Sequence, residues 1–447
     1  MRDLTRGNIT KNILLLSWPT MIAMLMHVGF NIVDTIFVGR LGPEAIAAVS
    51  IVFPVVFLMF ALGGGLGIGT TSLIARYIGA KRDKEADNAA EHSFIIAFVI
   101  SAVFAVLGLL FANKLYILMG AAPDIVQLAV NYSRWIFGFN MFMFVSLTAT
   151  SILRGMGNMK APMIGMVSAT VLNIILDPLL IFGIGFFPRL GLDGAALATV
   201  ISRFFAAVIM IYFIFSPKTR VSIKPRNFKF KPFFIKEILK VGIPSSLNQS
   251  FMSFALMVFT SIIAGFGSVA IAAYGIGFRL ESLVILPVLA IATAVITIVG
   301  QNVGAGKYDR AEKTTWIATK ISMLLVFVIA LLFFIFPSFW FRIFSSDAEL
   351  INYGVAFLRI LSGSYIFVAI SIIVGSAFQG AGFAIPRLIM TTARLYVFGI
   401  PLALLFAFVL GFGIKGIWIG MAISSILASL ITLVWFKMGT WKKETLK

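Results

Sequence analysis

Two aspartates and one asparagine lie in segments where charged side chains are costly. Asp34 is inside the apolar run 13–38, and Asn173 and Asp177 are inside a second apolar run, 163–184. Asn173 and Asp177 are four positions apart, so they share one face of a helix. Carboxylate and amide oxygens suit small hard cations, and two carboxylates in one low-dielectric site can instead share a proton. These residues therefore predict a buried site for a small cation or a proton.

The composition indicates which elements must hold this site. Of 447 residues, 60% are hydrophobic and only 12% are charged, whereas soluble proteins have about 25% charged residues. Long apolar runs without strand alternation indicate spanning helices rather than a barrel. We predict an all-α integral membrane protein with 12 transmembrane helices, the first of them retained because no cleavage pattern follows it. The predicted spans are 13–38, 46–74, 94–119, 131–153, 163–184, 194–215, 241–264, 270–300, 316–341, 350–377, 388–411 and 416–436.

The charge of the chain is a topology signal. The net charge is +19, which in a soluble protein would suggest nucleic acid, but most of the 36 Lys and Arg residues fall in loops on one side of the predicted spans. The positive-inside rule makes that side cytoplasmic. We therefore expect a multi-pass protein of the cell membrane with both termini in the cytoplasm and no nucleic-acid partner.

Several kinds of chemistry find no support in the sequence. There is no cysteine and there are only two histidines, which excludes disulfides and cysteine-based metal sites. No His/Asp/Glu constellation has catalytic spacing, so we expect no enzyme activity. An ion channel is disfavoured because two non-identical halves supply no ring of like groups.

The two halves of the chain are related by an offset of about 225 residues. This offset places Pro19 on Pro244 and residues 41–48 on residues 266–273. Because each half has an even number of spans, both halves enter the membrane in the same direction, as in a parallel repeat. We predict an N-lobe at 1–215, a basic linker at 216–240 and a C-lobe at 241–447.

The repeat is also an internal control for the polar residues. The offset, with small length changes, places Phe259 on Asp34, Tyr396 on Asn173 and Ile400 on Asp177. The second half keeps the repeat but lacks the acids, so the fold does not require them. This favours a functional role for the acids over a purely structural one.

A family resemblance adds to these observations. It is carried by residues 31–35 (Asn-Ile-Val-Asp-Thr), residues 172–178 (Leu-Asn-Ile-Ile-Leu-Asp-Pro) and residues 194–199 (Gly-Ala-Ala-Leu-Ala-Thr). The chain resembles the multidrug and toxic compound extrusion (MATE) transporters, and it is most similar to their DinF-like branch because its acids lie in the first half. The resemblance implies two pseudo-symmetric six-helix lobes around a central V-shaped cavity, and a monomer. It implies export of amphipathic or cationic compounds in exchange for Na⁺ or H⁺, with no other cofactor.

The resemblance also implies residue roles. Asp34, Asn173, Asp177 and Thr199 are the expected ion-coupling residues, and they would ligate Na⁺ if sodium is the coupling ion. Tyr132 is an expected contact of the acids. The choice between sodium and protons stays open at this point, although the neutral oxygens of Asn173 and Thr199 slightly favour sodium or the use of both ions.

Two prolines are predicted hinges. Pro178 follows Asp177 directly and frees a backbone carbonyl one turn earlier, and Pro19 lies in the span that carries Asp34. Ion loading would then bend the first span near Pro19.

Other polar and small residues carry weaker expectations. Arg279 and Glu281 are predicted to form a secondary polar pair, either a local salt bridge or a contact to substrate or gate. Arg203, Arg359 and Arg394 are expected to snorkel or to pair across the bundle. The glycine-rich residues 63–69 are predicted to pack closely, and His27 to be a packed polar residue.

The alternative function is a lipid-linked oligosaccharide or lipid flippase of the same superfamily. Such a protein would share the helix count, but we expect its cavity to be dominated by cations rather than by paired acids.

Overall fold

The computed structural model describes residues 3–216, 219–221, 223 and 228–443. In these residues the chain is helical and has no strand. The predicted linker is therefore only partly described, since Pro217, Lys218, Ser222 and residues 224–227 lie outside the described residues. The α-helices are α1 (Ile9–Gly39), α2 (Pro43–Gly79), α3 (Asp83–Leu118), α4 (Pro123–Gly138), α5 (Asn140–Gly155), α6 (Lys160–Phe182), α7 (Leu192–Ile214), α8 (Pro232–Ala264), α9 (Ser268–Gly304), α10 (Tyr308–Ile335), α11 (Pro337–Arg342), α12 (Ala348–Gly380), α13 (Ile385–Thr392), α14 (Ile400–Leu404) and α15 (Ile414–Lys437).

Eleven helical segments of the described chain are long and apolar enough to cross a membrane, and a bent pair brings the number to 12. The prediction of an all-α membrane protein is therefore confirmed. The bent pair is α4 and α5, which meet at an angle of 46° where the sequence predicts one span, 131–153. The break falls at Phe139, whose φ of −111° and ψ of 17° depart from helical geometry.

Several helices begin earlier than their apolar runs. The run at 94–119 belongs to α3, which starts at Asp83, and the run at 316–341 belongs to α10, which starts at Tyr308. Both helices carry an acid in the first turn, where a negative charge interacts favourably with the helix dipole. Polar first turns therefore extend the helices beyond the apolar segments that hydropathy detects.

The eleventh span is irregular. Between α13 and α14 the chain forms a π-helical segment, Ala393–Gly399, and a second one, Leu405–Val409, follows α14. A Cβ on Gly399 would lie 2.6 Å from the carbonyl oxygen of Arg394 and 3.3 Å from Phe259. The wide turn therefore depends on glycine at this position, and it sets where Arg394 projects.

The described chain separates into two compact units. The first comprises Trp18–Gly242, and the second combines Asp3–Ser17 with the residues from Ile243 onward. Both changes of unit occur inside a helix and beside a proline, at Pro19 in α1 and at Pro244 in α8. The beginning of each of these helices thus packs in a different unit from its remainder.

In the first unit, glycines of α2 permit close helix packing. A Cβ on Gly67 would lie 2.4 Å from Ser151 Oγ, and one on Gly69 would lie 2.3 Å from the carbonyl oxygen of Ile238. The predicted packing role of residues 63–69 is therefore confirmed.

Candidate functional site

The polar residues of the first unit are positioned by the hairpin of α6 and α7. Helix α6 ends at Phe182 because Gly183 adopts a left-handed conformation, with φ of 71°, that glycine tolerates. A Cβ on Gly194, near the start of α7, would lie 2.4 Å from the carbonyl oxygen of Leu180. This close approach fixes the last two turns of α6, where Asp177 lies.

Helix α1 is held against α6 by two contacts. The hydroxyl of Thr170 donates to the carbonyl oxygen of Met26 at 3.4 Å. Nearer the end of both helices, the rings of Phe37 and Phe182 meet edge to face at 6.3 Å. These contacts lie on both sides of Asp34 in α1, so they bring Asp34 towards Asp177.

The structure brings together four of the predicted site residues. Asn173 and Asp177 are fully buried, and Asn173 Nδ2 donates to Asp177 Oδ1 at 3.0 Å. Asp34 lies close enough to Asp177 for their charges to interact, and buried Tyr132 of α4 interacts electrostatically with both carboxyl groups. Asp34, Asn173, Asp177 and Tyr132 therefore form one cluster within the first unit.

Three acceptor atoms of this cluster are buried and have no hydrogen-bond partner among the described residues. They are Asp34 Oδ1, Asn173 Oδ1 and Asp177 Oδ2. An unsatisfied buried acceptor costs about 1–3 kcal/mol, and more when it is charged, so three of them in one place call for a positive partner. The oxygen donor set suits a hard cation such as Na⁺, and the paired carboxylates equally suit a proton. The described residues contain no cluster of three or more His, Cys, Asp or Glu side chains that would suit a multivalent metal.

Thr199 is not joined to this cluster by any of the described contacts. It is half-buried on α7, where its neighbour Ala196 packs in the same hydrophobic cluster as Tyr132. Its role as an ion ligand stays a prediction.

Both predicted hinge prolines lie inside helices. Helix α1 continues through Pro19, and α6 continues through Pro178 for a further four residues to Phe182. Each proline removes one backbone donor from its helix without ending it. Pro19 also adjoins the point where α1 passes from the second unit to the first, which is where a hinge would be useful.

Sequence reasoning missed a second polar cluster on the same helix as Asp34. The guanidinium of Arg203 lies over the rings of Phe30 and Phe60, at 5.2 and 5.3 Å from their centroids. His27 stacks on Phe30 at 6.4 Å and interacts electrostatically with Arg203. His27 and Asp34 are seven residues apart and so share a helix face, and this spacing was the available signal. His27 is a packed polar residue, as predicted.

Arg279 and Glu281, the predicted secondary polar pair, are not joined by any of the described contacts. Glu281 faces a cavity of the second unit that Arg394 also lines, and the charges of these two side chains interact. Arg279 is exposed on α9. The reason is geometric, because residues two apart on a helix point to different faces.

The fold and the site together define a polytopic helical membrane protein with a buried carboxylate pair in one half of an internal repeat. The sequence matches the MatE family twice, over residues 19–179 and 244–405. The protein belongs to this family of multidrug efflux membrane transporters. The two matches begin at the prolines that the offset of about 225 residues aligns, which confirms the internal repeat.

Known relatives match over nearly the full length. The chain is 26% identical to the probable multidrug resistance protein YoeA of Bacillus subtilis, over 98% of this chain and 96% of the relative. It is 28% identical to a FAD transporter of Shewanella oneidensis, over 94% of this chain and 93% of the relative. A solved structure, an outward-facing multidrug resistance MATE family transporter of the MOP superfamily, matches with a TM-score of 0.92 and 32% identity, over 99% of this chain and 98% of that one.

Proposed function

We propose that this protein is a secondary active antiporter that exports small amphipathic or cationic compounds in exchange for Na⁺ or H⁺. The observation that carries the proposal is the cluster of Asp34, Asn173 and Asp177, with three buried oxygens that lack a partner. The second half of the repeat has Phe259, Tyr396 and Ile400 at the corresponding positions, so the acids serve a purpose other than folding.

The coupling ion binds where these oxygens converge. With both carboxylates ionised, Asp34, Asp177 and the amide oxygen of Asn173 supply ligands for Na⁺, and Thr199 is the proposed fourth. In proton coupling the two carboxyl groups titrate as a unit, because two negative charges in one low-dielectric site repel each other. The neutral oxygen of Asn173 supports sodium, and no other cofactor is required. The acids lie in the first half only, which is why we assign the protein to the DinF-like branch.

Alternating access follows from differential ion affinity. The ion must bind one conformation more tightly than the other, since an ion that binds both equally does not change their populations. We propose that ion binding draws Asp34 towards Asp177, bends α1 near Pro19 and displaces substrate outward. Release of the ion to the inside restores the first conformation.

The distribution of basic residues supports a cell-membrane protein with both termini in the cytoplasm. We propose that it works as a monomer, because the cluster of Asp34, Asn173, Asp177 and Tyr132, which we call the ion cluster, is built from residues of one chain. The flippase alternative is not favoured by the site, because we expect the cavity of a flippase to be dominated by cations, whereas this cluster contains two carboxyl groups.

The test is transport in liposomes that contain the purified protein. An imposed Na⁺ or pH gradient should drive extrusion of a fluorescent organic cation. The gradient that drives extrusion identifies the coupling ion. Asp34→Asn should lower the gradient-driven rate by at least about tenfold, since hydrogen bonds and ion contacts to a charged group contribute about 1.5–3 kcal/mol.

The matched control is Asp124→Asn, which removes an exposed carboxylate at the start of α4 in the same unit. It should transport at the wild-type rate. Wild-type transport by Asp34→Asn under the same gradient would remove Asp34 from the mechanism.

A further inference from the structure

The second unit contains a cavity of about 120 Å³ in a place related to the ion cluster by the internal repeat. Phe259, the counterpart of Asp34, lines this cavity, and so does Leu395, which adjoins the counterpart of Asn173. The second half thus has a cavity at the position where the first half carries the acids. In the second half, the residues that line this position differ in type from the acids and amide of the first half.

The cavity presents one charge of each sign. Glu281 of α9 and Arg394 of the π-helical segment both line it, and their charges interact across it. In the part of the chain that the structure describes, no direct ion pair or hydrogen bond joins Glu281 to Arg394. A carboxylate and a guanidinium that face the same space without touching can bind a ligand that has both a cationic and an anionic group.

A further polar group of the cavity lacks a protein partner. The side chain of Tyr365 is 1% exposed and lines the cavity, and its hydroxyl has no hydrogen-bond partner in the part of the chain that the structure describes. A buried hydroxyl without a partner is costly, so its position favours a ligand with a polar atom within its reach.

Part of the remaining wall is aromatic, and the rest is made of aliphatic, methionine and serine side chains. Tyr274 lines the cavity and stacks on Trp418 at 5.7 Å, and Trp418 in turn meets Phe357 edge to face at 5.0 Å. Phe259 and Phe278 complete an aromatic surface suited to a ring. The cavity is close in size to the cavity of about 150 Å³ that holds benzene, so it accommodates about one ring.

The backbone around Arg394 is specialised for this position. Arg394 is the second residue of the π-helical segment Ala393–Gly399. The wide turn of this segment depends on Gly399. Turns of this kind inside α-helices occur frequently at functional sites. A regular helix would rotate Arg394 to a different direction.

We propose that this cavity of the second unit is a binding site for a small aromatic zwitterion. The ligand's ammonium group faces Glu281, its anionic group faces Arg394, and its ring lies among Phe259, Tyr274 and Phe278. This site is separate from the ion cluster, and the inference holds whether or not the protein couples transport to an ion.

Binding to the purified full-length protein tests the inference without any gradient. The probes are phenylalanine, its methyl ester and N-acetylphenylalanine, which share a ring but are zwitterionic, cationic and anionic at pH 7. Isothermal titration in an uncharged maltoside detergent should give saturable binding of phenylalanine, and each of the other two should bind about 10- to 100-fold more weakly. Equal binding of all three, or no saturable binding of phenylalanine, would overturn the proposal.

Two substitutions test which side chain binds which charged group of the ligand. Glu281→Gln should remove the preference for phenylalanine over N-acetylphenylalanine, and Arg394→Gln should remove its preference over the methyl ester. Arg279→Gln, which changes an exposed charge two residues from Glu281, should keep both preferences. If the three variants behave alike, the ligand binds elsewhere.

The test also separates this inference from the proposed antiport. Asp34→Asn should bind phenylalanine with the wild-type affinity, because the ion cluster lies in the first unit. Loss of binding in Asp34→Asn would place the ligand at the ion cluster and contradict the proposal. The wild-type probe series needs no variant, so a variant that fails to fold leaves the inference testable.

Discussion

Replacing Asn173 by leucine isolates the contribution of the amide to the ion cluster. Leucine has the same number of side-chain heavy atoms but neither donates to Asp177 nor supplies an oxygen. In the structure the amide makes one buried hydrogen bond of 3.0 Å to a carboxylate and leaves its oxygen unpartnered. A buried hydrogen bond to a charged group contributes about 1.5–3 kcal/mol, which corresponds to about 10- to 150-fold in affinity.

The assay is export from protein-containing liposomes as a function of the Na⁺ concentration. Asn173→Leu should raise the half-saturating Na⁺ concentration by about 10- to 150-fold, with the maximal rate less affected. The control is Gln127→Leu, because Gln127 donates to Asn131 four residues away at 3.0 Å in the same geometry but is exposed. Its half-saturating concentration should equal that of the wild type.

The refuting result is an unchanged half-saturating concentration in a well-folded Asn173→Leu protein. It would mean that the amide does not contact the ion and only shapes the end of α6. Thermal unfolding followed by size-exclusion chromatography establishes that the variant is folded.

Two further predictions concern the packing of the first unit and are checked by thermal unfolding. His92→Phe should lower stability by about 1–2 kcal/mol, because buried His92 Nε2 accepts the backbone N–H of Lys231 at 2.8 Å and phenylalanine leaves that donor unsatisfied. An unfolding temperature equal to that of the wild type would contradict this account of the contact. Gly69→Ala should cost about 1–3 kcal/mol, because its methyl group would meet the carbonyl oxygen of Ile238 at 2.3 Å, whereas Gly29→Ala has nothing within 4 Å and should be tolerated. Equal stability of the two alanine variants would mean that the close approach of α2 and α8 is easily relieved.

The ion cluster could be predicted from the sequence for a specific physical reason. In a chain of apolar spans a buried acid is conspicuous, and the repeat supplies an aligned half without it. The spacing of Asn173 and Asp177 places them on one face of α6, and the structure joins them by a hydrogen bond. Spacing could not identify the long-range partners. Asp34 was assigned to the site because an acid inside an apolar span needs a partner, and Tyr132 was assigned from the resemblance alone.

The predicted fold is also largely recovered, because span length and hydropathy are fixed by the membrane. The bend between α4 and α5 and the two π-helical segments were not predicted. The bend lies at the non-helical backbone of Phe139, and the first π-helical segment depends on Gly399; such local backbone geometry leaves no mark on hydropathy.

The surroundings of Glu281 also depend on features that a single sequence does not show. Proximity in sequence suggested Arg279 as its partner, whereas helix geometry directs these two residues apart and brings Arg394 of the eleventh span to the same cavity. Residues more than a hundred positions apart come to line one cavity only through the packing of the unit, which a single sequence does not supply. The cavity of the second unit therefore emerges only from the structure.

The central claim is that the carboxylate pair of the first unit exchanges an ion for exported substrate. Its most direct test reverses the coupling, with a gradient of the fluorescent cation imposed across liposomes and the resulting flux of Na⁺ or H⁺ measured. The wild-type protein should move the ion against the direction of the substrate, and the double variant Asp34→Asn, Asp177→Asn should show no substrate-driven ion flux above that of empty liposomes. A substrate-driven ion flux of wild-type size in the double variant would contradict the account.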